Sequence, residues 1–229
     1  MSKSNFEIKT ELVSLLKMRE DTLEFITELS EVGDLLFFGG SIRHVYFEKI
    51  EDYPRDFDIA IKFRNKNKFN EVINKYDFKV NRFGGYKFNI SNTEFDVWDL
   101  NNTWAFKNTY LRACEENLVK SVFLNVDGIV FNFNKSKLYD YGITQTIKTK
   151  EIDILLPNNP QVELNLLRAL IFKKKYNFEL SSRLKKLLND FNNKGNNEFL
   201  EQLHSLQFSH YKTEKISKLE IANEIMYIQ

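Results

Sequence analysis

The reading of the fold turns on residues 37–63, FFGGSIRHVYFEKIEDYPRDFDIAIKF. The apolar run Asp34–Phe38 (DLLFF) stops at the pair Gly39–Gly40, and helical spacing resumes through Ile42, Val45, Tyr46 and Ile50. The order is strand, glycine turn, helix. From Asp56 to Phe63 the residues then alternate: Phe57, Ile59, Ile61 and Phe63 are apolar, and Asp56, Asp58, Ala60 and Lys62 fall between them. Successive side chains on a strand point to opposite faces, so Asp56 and Asp58 share one face while the apolar set enters a core.

Upstream, Leu12, Leu15, Leu16, Met18, Leu23, Phe25, Ile26 and Leu29 recur at helical spacing and predict one or two amphipathic helices over residues 8–29. Downstream, a helix is expected from Lys66 to about Tyr76. FKVNRF (78–83), GYKFNI (85–90) and TEFDVWDL (93–100) then read as short strands that extend the sheet in antiparallel fashion, with Gly84–Gly85 as a β-turn. NTYLRACEENLVKS (108–121) reads as a helix and VFLNVDGIVFNFN (122–134) as a hairpin turning near Asp127 and Gly128. After LLPNNP (155–160) strand signal fades, and four helices are expected. The expected class is α+β: a mixed or antiparallel sheet flanked by helices over residues 1–157, then a helical unit over 158–229.

The chain has 229 residues and a formal net charge of +1, so its overall field does not mark a nucleic-acid binder. Lys173, Lys174, Lys175, Arg183, Lys185 and Lys186 cluster locally, with a solvated helix face as the ordinary reading. With a single cysteine, Cys114, an internal disulfide framework is excluded, in keeping with a reducing compartment. No segment approaches the roughly 18 apolar residues of a membrane span. A cytoplasmic protein without a membrane partner is expected.

Transfer of a phosphoryl or nucleotidyl group needs a cradle for the triphosphate, carboxylates for divalent metals, and a place for the attacking hydroxyl. Gly39 and Gly40 at a strand-to-helix turn let phosphate oxygens approach backbone amides, Ser41 offers a hydroxyl and Arg43 a charged fork. Asp56 and Asp58 are spaced to share hard cations such as Mg²⁺. A third carboxylate from a neighbouring strand completes such a site. Asp96 lies between Phe95 and Val97 and so faces the polar side, whereas Asp99 shares the Phe95 face. Each element has an ordinary structural reading: a tight turn, a solvent-facing pair, a surface arginine at Arg43 or Arg55. Their order makes one consistent site. Thr103 and Trp104 follow; Trp104 offers a stacking surface for a base, with core packing as the alternative.

GGSIR (39–43) and RDFDIAI (55–61) resemble the GGxVR and (R)DxD motifs of the DNA polymerase β-like nucleotidyltransferase superfamily, and within it the head of CCA-adding enzymes and poly(A) polymerases. FLNVDGIVFNF (123–133) is similar to that family's DFTINA segment, and residues 162–188 to its neck, built around EDxxR. The resemblance implies a nucleotidyltransferase palm, an NTP against Gly39, Gly40, Ser41 and Arg43, and two Mg²⁺ ions, with Mn²⁺ as a substitute, held by Asp56, Asp58 and Asp96. It adds Asn125, Asn165 and Arg168 as nucleotide-binding residues and a tRNA-like RNA 3′ end as acceptor. Departures are Leu164 and Asn165 in place of Glu and Asp, Lys120 and Ser121 in place of Arg and Asp, and His44 in place of Asp. Asparagine both donates and accepts hydrogen bonds, so the sequence leaves the base selected open, C and A or another. Two other readings stand beside transfer to RNA: nucleotidylation of a small molecule such as an antibiotic, or of a protein hydroxyl, with Glu51 and Asp52 as extra acids; and a nucleotide-binding regulatory module without catalysis.

Overall fold

A computed structural model describes residues 3–47, 53–195 and 198–226. The chain forms two compact units, Met1–Val122 with Asp127–Gly142, and Phe123–Val126 with Ile143–Gln229.

The first unit opens with helices α1 (Asn5–Lys17) and α2 (Thr22–Val32). Ser4 caps α1 through a capping box with Glu7, and Ile8, Leu12, Leu15 and Leu16 form its buried stripe. There follow β1 (Gly33–Phe38), α3 (Gly40–Phe47), β2 (Asp56–Phe63), α4 (Lys66–Ile73), β3 (Phe78–Val80), β4 (Tyr86–Ile90), β5 (Thr93–Asp99), α5 (Trp104–Asn108), α6 (Glu115–Leu118), β6 (Ile129–Asn132) and β7 (Lys137–Asp140). The seven strands make one sheet in the order β3-β4-β5-β2-β1-β6-β7. All neighbours are antiparallel except β2 and β5, which run parallel.

Register builds the core. Phe57, Phe95, Phe88 and Phe78 are successive partners across β2, β5, β4 and β3. Phe57 stacks on Phe95 at 5.2 Å, and Phe25 of α2 packs on Phe95 and Phe88. These aromatic contacts fix the register, because a slip of one residue would turn every phenylalanine to the other face. Opposite them, a smaller apolar cluster of Leu36, Ala60, Leu100, Leu118, Val119 and Val130 lies on the second face of the sheet.

The second unit comprises α7 (Ile143–Thr149), β8 (Glu151–Ile152), α8 (Val162–Tyr176), β9 (Glu179–Leu180), α9 (Ser182–Gly195), α10 (Glu198–Tyr211) and α11 (Lys218–Met226). The four expected C-terminal helices are α8 to α11. Within this unit β8 pairs with β9, and Leu124 of its Phe123–Val126 segment bridges Ile154.

Three local expectations are corrected. β5 joins β2 in parallel, so the antiparallel extension holds only among β3, β4 and β5. In the stretch expected to be helical from Asn108, only α6 is a new helix, because Thr109 and Asn117 side chains bond nearby backbone and hold turns. The hairpin pairs β6 with β7 and does not turn at Asp127; Asn125–Asp127 is a 3₁₀ turn. Ile50, Glu51 and Asp52 lie outside the described residues. Among the described residues no helix is long and apolar enough to cross a membrane.

Candidate active site

At the end of β1 the chain turns through Gly39, whose φ of +69° is strained for any residue with a side chain. A Cβ there would lie 2.8 Å from Asp58 Oδ2. On Gly40 a Cβ would meet Arg43 at an ordinary 3.7 Å, so the close approach belongs to Gly39. Phe38 pairs with Asp58 across β1 and β2, which is why the turn lands on that carboxylate. Ser41 is buried, and its Oγ has no hydrogen-bond partner among the described residues. Arg43, read as an ordinary surface helix residue in one alternative, is instead buried; its Nη1 donates to Oδ1 of buried Asp127 in the turn before β6.

The parallel pairing of β2 and β5 places Asp58 beside Asp96 and Asp56 beside Glu94. Since paired residues point to the same side, the three expected aspartates share one face. Arg55 donates to Asp56 Oδ2 at 2.5 and 3.0 Å. Lys87, the partner of Asp96 on β4, reaches Glu94 at 3.1 Å and Asp96 at 3.4 Å. Burial pushes the Asp96 carboxyl above its usual range; Lys87 offsets part of that, and the like charges of Asp56 and Glu94 add to it. Asp99 is excluded from the face. It caps the turn at Leu100–Asn102 and accepts from Lys66 Nζ at 2.8 Å.

As they stand, no three His, Cys, Asp or Glu side chains among the described residues are arranged to hold an ion. Two of the three aspartates are turned toward Arg55 and Lys87. The donor set nevertheless suits a hard divalent cation: crowded carboxylate oxygens on adjacent strands whose mutual repulsion a cation relieves.

At the other end of the same sheet face, Asp34 and Glu115 are buried as well, but Arg64 and Lys135 pair with Asp34 and Lys62 and Lys135 with Glu115. Burial works against both acids, yet these cations, with Asn132 beside Asp34, hold their carboxyls below the usual range.

The remaining expected residues lie in the second unit. Asn125 accepts from Asp153 N at 2.9 Å and donates to Glu151 O at 3.1 Å, so its amide is engaged with backbone. Asn165 is buried; its amide nitrogen donates to Asn159 and to the Gln161 carbonyl, and its oxygen accepts from Arg168 at 3.1 Å. In the basic cluster, Lys173, Lys174 and Arg183 pair with Glu224, Glu220 and Asp153. Trp104 opens α5 half-buried. Sequence reading missed Lys87, Asp127 and Trp98. Alternation around Phe88 would have placed Lys87 on the polar face, and the same count places Trp98 there; nothing local marks Asp127.

No family model matches the chain, and no curated protein does. Solved structures match it closely in fold. The Thermotoga maritima CCA-adding enzyme complexed with tRNA aligns with 95% of this chain and 53% of its own, at a TM-score of 0.65 and 17% identity. A CCA-adding enzyme with ATP aligns with 100% and 55%, at 0.66 and 15%. A tRNA nucleotidyltransferase complexed with a primer tRNA and an incoming ATP analogue aligns with 89% and 59%, at 0.62 and 20%. The chain shares its fold with these structures. It spans between 53% and 59% of the length of these three chains. Within the nucleotidyltransferase fold, the glycine turn and the carboxylates on β2 and β5 are positioned as one group of residues by Phe38–Asp58 and Asp58–Asp96 pairing.

Proposed function

We propose that the protein transfers a nucleoside monophosphate from an NTP to an acceptor hydroxyl, with an RNA 3′ end, tRNA-like, as the acceptor. The observation that carries this reading is the 2.8 Å approach of a would-be Gly39 side chain to Asp58 Oδ2, which ties the glycine turn to the carboxylates. The likeness to enzymes whose structures hold tRNA and ATP supports it.

In this reading Gly39 and Gly40 leave backbone amides open to the triphosphate, and Ser41 Oγ, buried with no hydrogen-bond partner, donates to a phosphate oxygen. Arg43, paired with Asp127, brings its guanidinium charge to the same phosphates. Asp56, Asp58 and Asp96 would hold two Mg²⁺ ions, for which Mn²⁺ can substitute. Such ions supply charge neutralisation at the leaving pyrophosphate and lower the pKa of an acceptor hydroxyl. Arg55 and Lys87 release the carboxylates they now pair with, at small cost, because both cations are about half exposed. Arg168, held by the neutral Asn165, is the candidate for choosing the base.

The test offers purified protein, Mg²⁺ and each α-labelled NTP to a cell extract and follows the label. Label in RNA supports the reading. Label in protein or a small molecule replaces the acceptor, and NTP binding without turnover on any acceptor points to a regulatory module.

A further inference from the structure

The carboxylate row does not stop at Asp96. Across the sheet, Asp58 pairs with Asp96, Asp96 with Lys87, and Lys87 with Lys79 at the β3 edge, so two lysines continue the same row on the same face. Strands lie about 4.8 Å apart, which puts Lys79 about 14 Å from Asp58 along the row. Lys79 is exposed and has no ion-pair partner among the described residues. Beyond it, in the β3–β4 turn, exposed Arg82 lies 4.7 Å over the Phe83 ring.

On the same face, two residues along from Asp96, stands the half-buried ring of Trp98. Its neighbour on β4's end is Gly85, where a Cβ would come within 2.6 Å of the ring. The ring therefore requires the glycine at 85, while the positive φ of the turn falls on Gly84. An aromatic surface lies beside a line of cations that ends at the carboxylates.

Resting on the transfer reading above, we infer that this outer part of the sheet face, from Asp96 to the β3 edge, is the track along which a single-stranded nucleic acid brings its 3′ hydroxyl to the carboxylates. Charge selects this occupant. Lys79 and Arg82 repel a cationic small acceptor and attract a polyanion that the carboxylates alone would push away, while Lys87, paired with Glu94 and Asp96, offsets part of their charge. An unpaired base has a free π-face for Trp98, which a duplex does not offer.

The test uses the full chain and a short fluorescein-labelled RNA single strand, with binding followed by anisotropy over a salt series. Lys79→Glu with Arg82→Ala should weaken binding at least tenfold and flatten the log–log salt slope by about 0.7 per lost phosphate contact. Binding of Mg·NTP should be unchanged. In a Trp104→Phe background, where Trp98 is the one remaining tryptophan, the RNA should quench its emission. Unchanged affinity and slope in the double variant, an unquenched Trp98, or equal affinity for a duplex would each overturn the track. If Mg·NTP binds and is turned over while no RNA binds, the track fails and transfer stands; if RNA binds with the expected slope and nothing is transferred, transfer fails and the track stands.

Discussion

Asp34 and Asp96 stand at opposite ends of one face of one sheet, both shielded from water, and their carboxyls are displaced in opposite directions. Burial raises both. At Asp34 the bonds from Lys135 and Asn132 and the charges of Lys135 and Arg64 overcome it, and the group titrates below its ordinary 3.8. At Asp96 one lysine offsets burial only in part, and Asp56 and Glu94 crowd it further. Acids balanced by cations tie strands together. In the reading proposed above, the acids crowded against each other beneath the glycine turn are the end that binds.

Removing the crowded end should remove chemistry and leave the fold. Asp56→Ala with Asp58→Ala is expected to cut pyrophosphate release about a thousandfold, the weight of several kcal/mol of charge stabilisation, with the thermal midpoint held or raised. A fall in midpoint with equal activity would reverse the comparison. Gly39→Val, which forces a side chain into Asp58 at positive φ, should cost about a hundredfold in rate through misplacement of the site. Its stability cost should stay near 1–2 kcal/mol, read by chemical denaturation.

The balanced end should show the reverse. Asp34→Asn is expected to lose about 1–2 kcal/mol at pH 7 with activity intact. Because the folded-state pKa is depressed, this contribution is present above the unfolded value near 3.8 and is lost as pH falls through the folded value. Wild type and variant should therefore converge below pH 3.8 in denaturation curves. Smallest of all, Mg²⁺ at ten times its dissociation constant should stabilise the wild type and Asp34→Asn by about 1.4 kcal/mol, and leave the Asp56→Ala, Asp58→Ala protein unmoved.

Much of this was legible in the sequence, for a local reason. Alternation around Phe57, Ile59 and Ile61 places Asp56 and Asp58 on one face, and Phe95 and Val97 do the same for Asp96; strand period needs no partner to be read. What joins them is the parallel register of β2 and β5, fixed by stacking of Phe57 on Phe95 between residues 38 positions apart, and no single segment encodes that. Lys87 faces the polar side by its own alternation around Phe88, but its place beside Asp96 comes from the separate antiparallel register of β4 and β5. Asp127 was hidden in what read as a hairpin turn: Asn125, two residues earlier, bonds residues 151 and 153, and β6 pairs onward with β7. Arg43 read as a charged fork with a surface residue as the alternative, and its partner, 84 positions away, could not be read from either segment.

The most direct test of the central claim is to incubate the protein with Mg²⁺, α-labelled NTP and RNA, and to map the label on the RNA against Asp58→Asn. The label should sit at the RNA 3′ end, one pyrophosphate should be released for each nucleotide added, and the variant should show neither. Equal labelling by Asp58→Asn, or pyrophosphate release with no label at any RNA 3′ end, would contradict it.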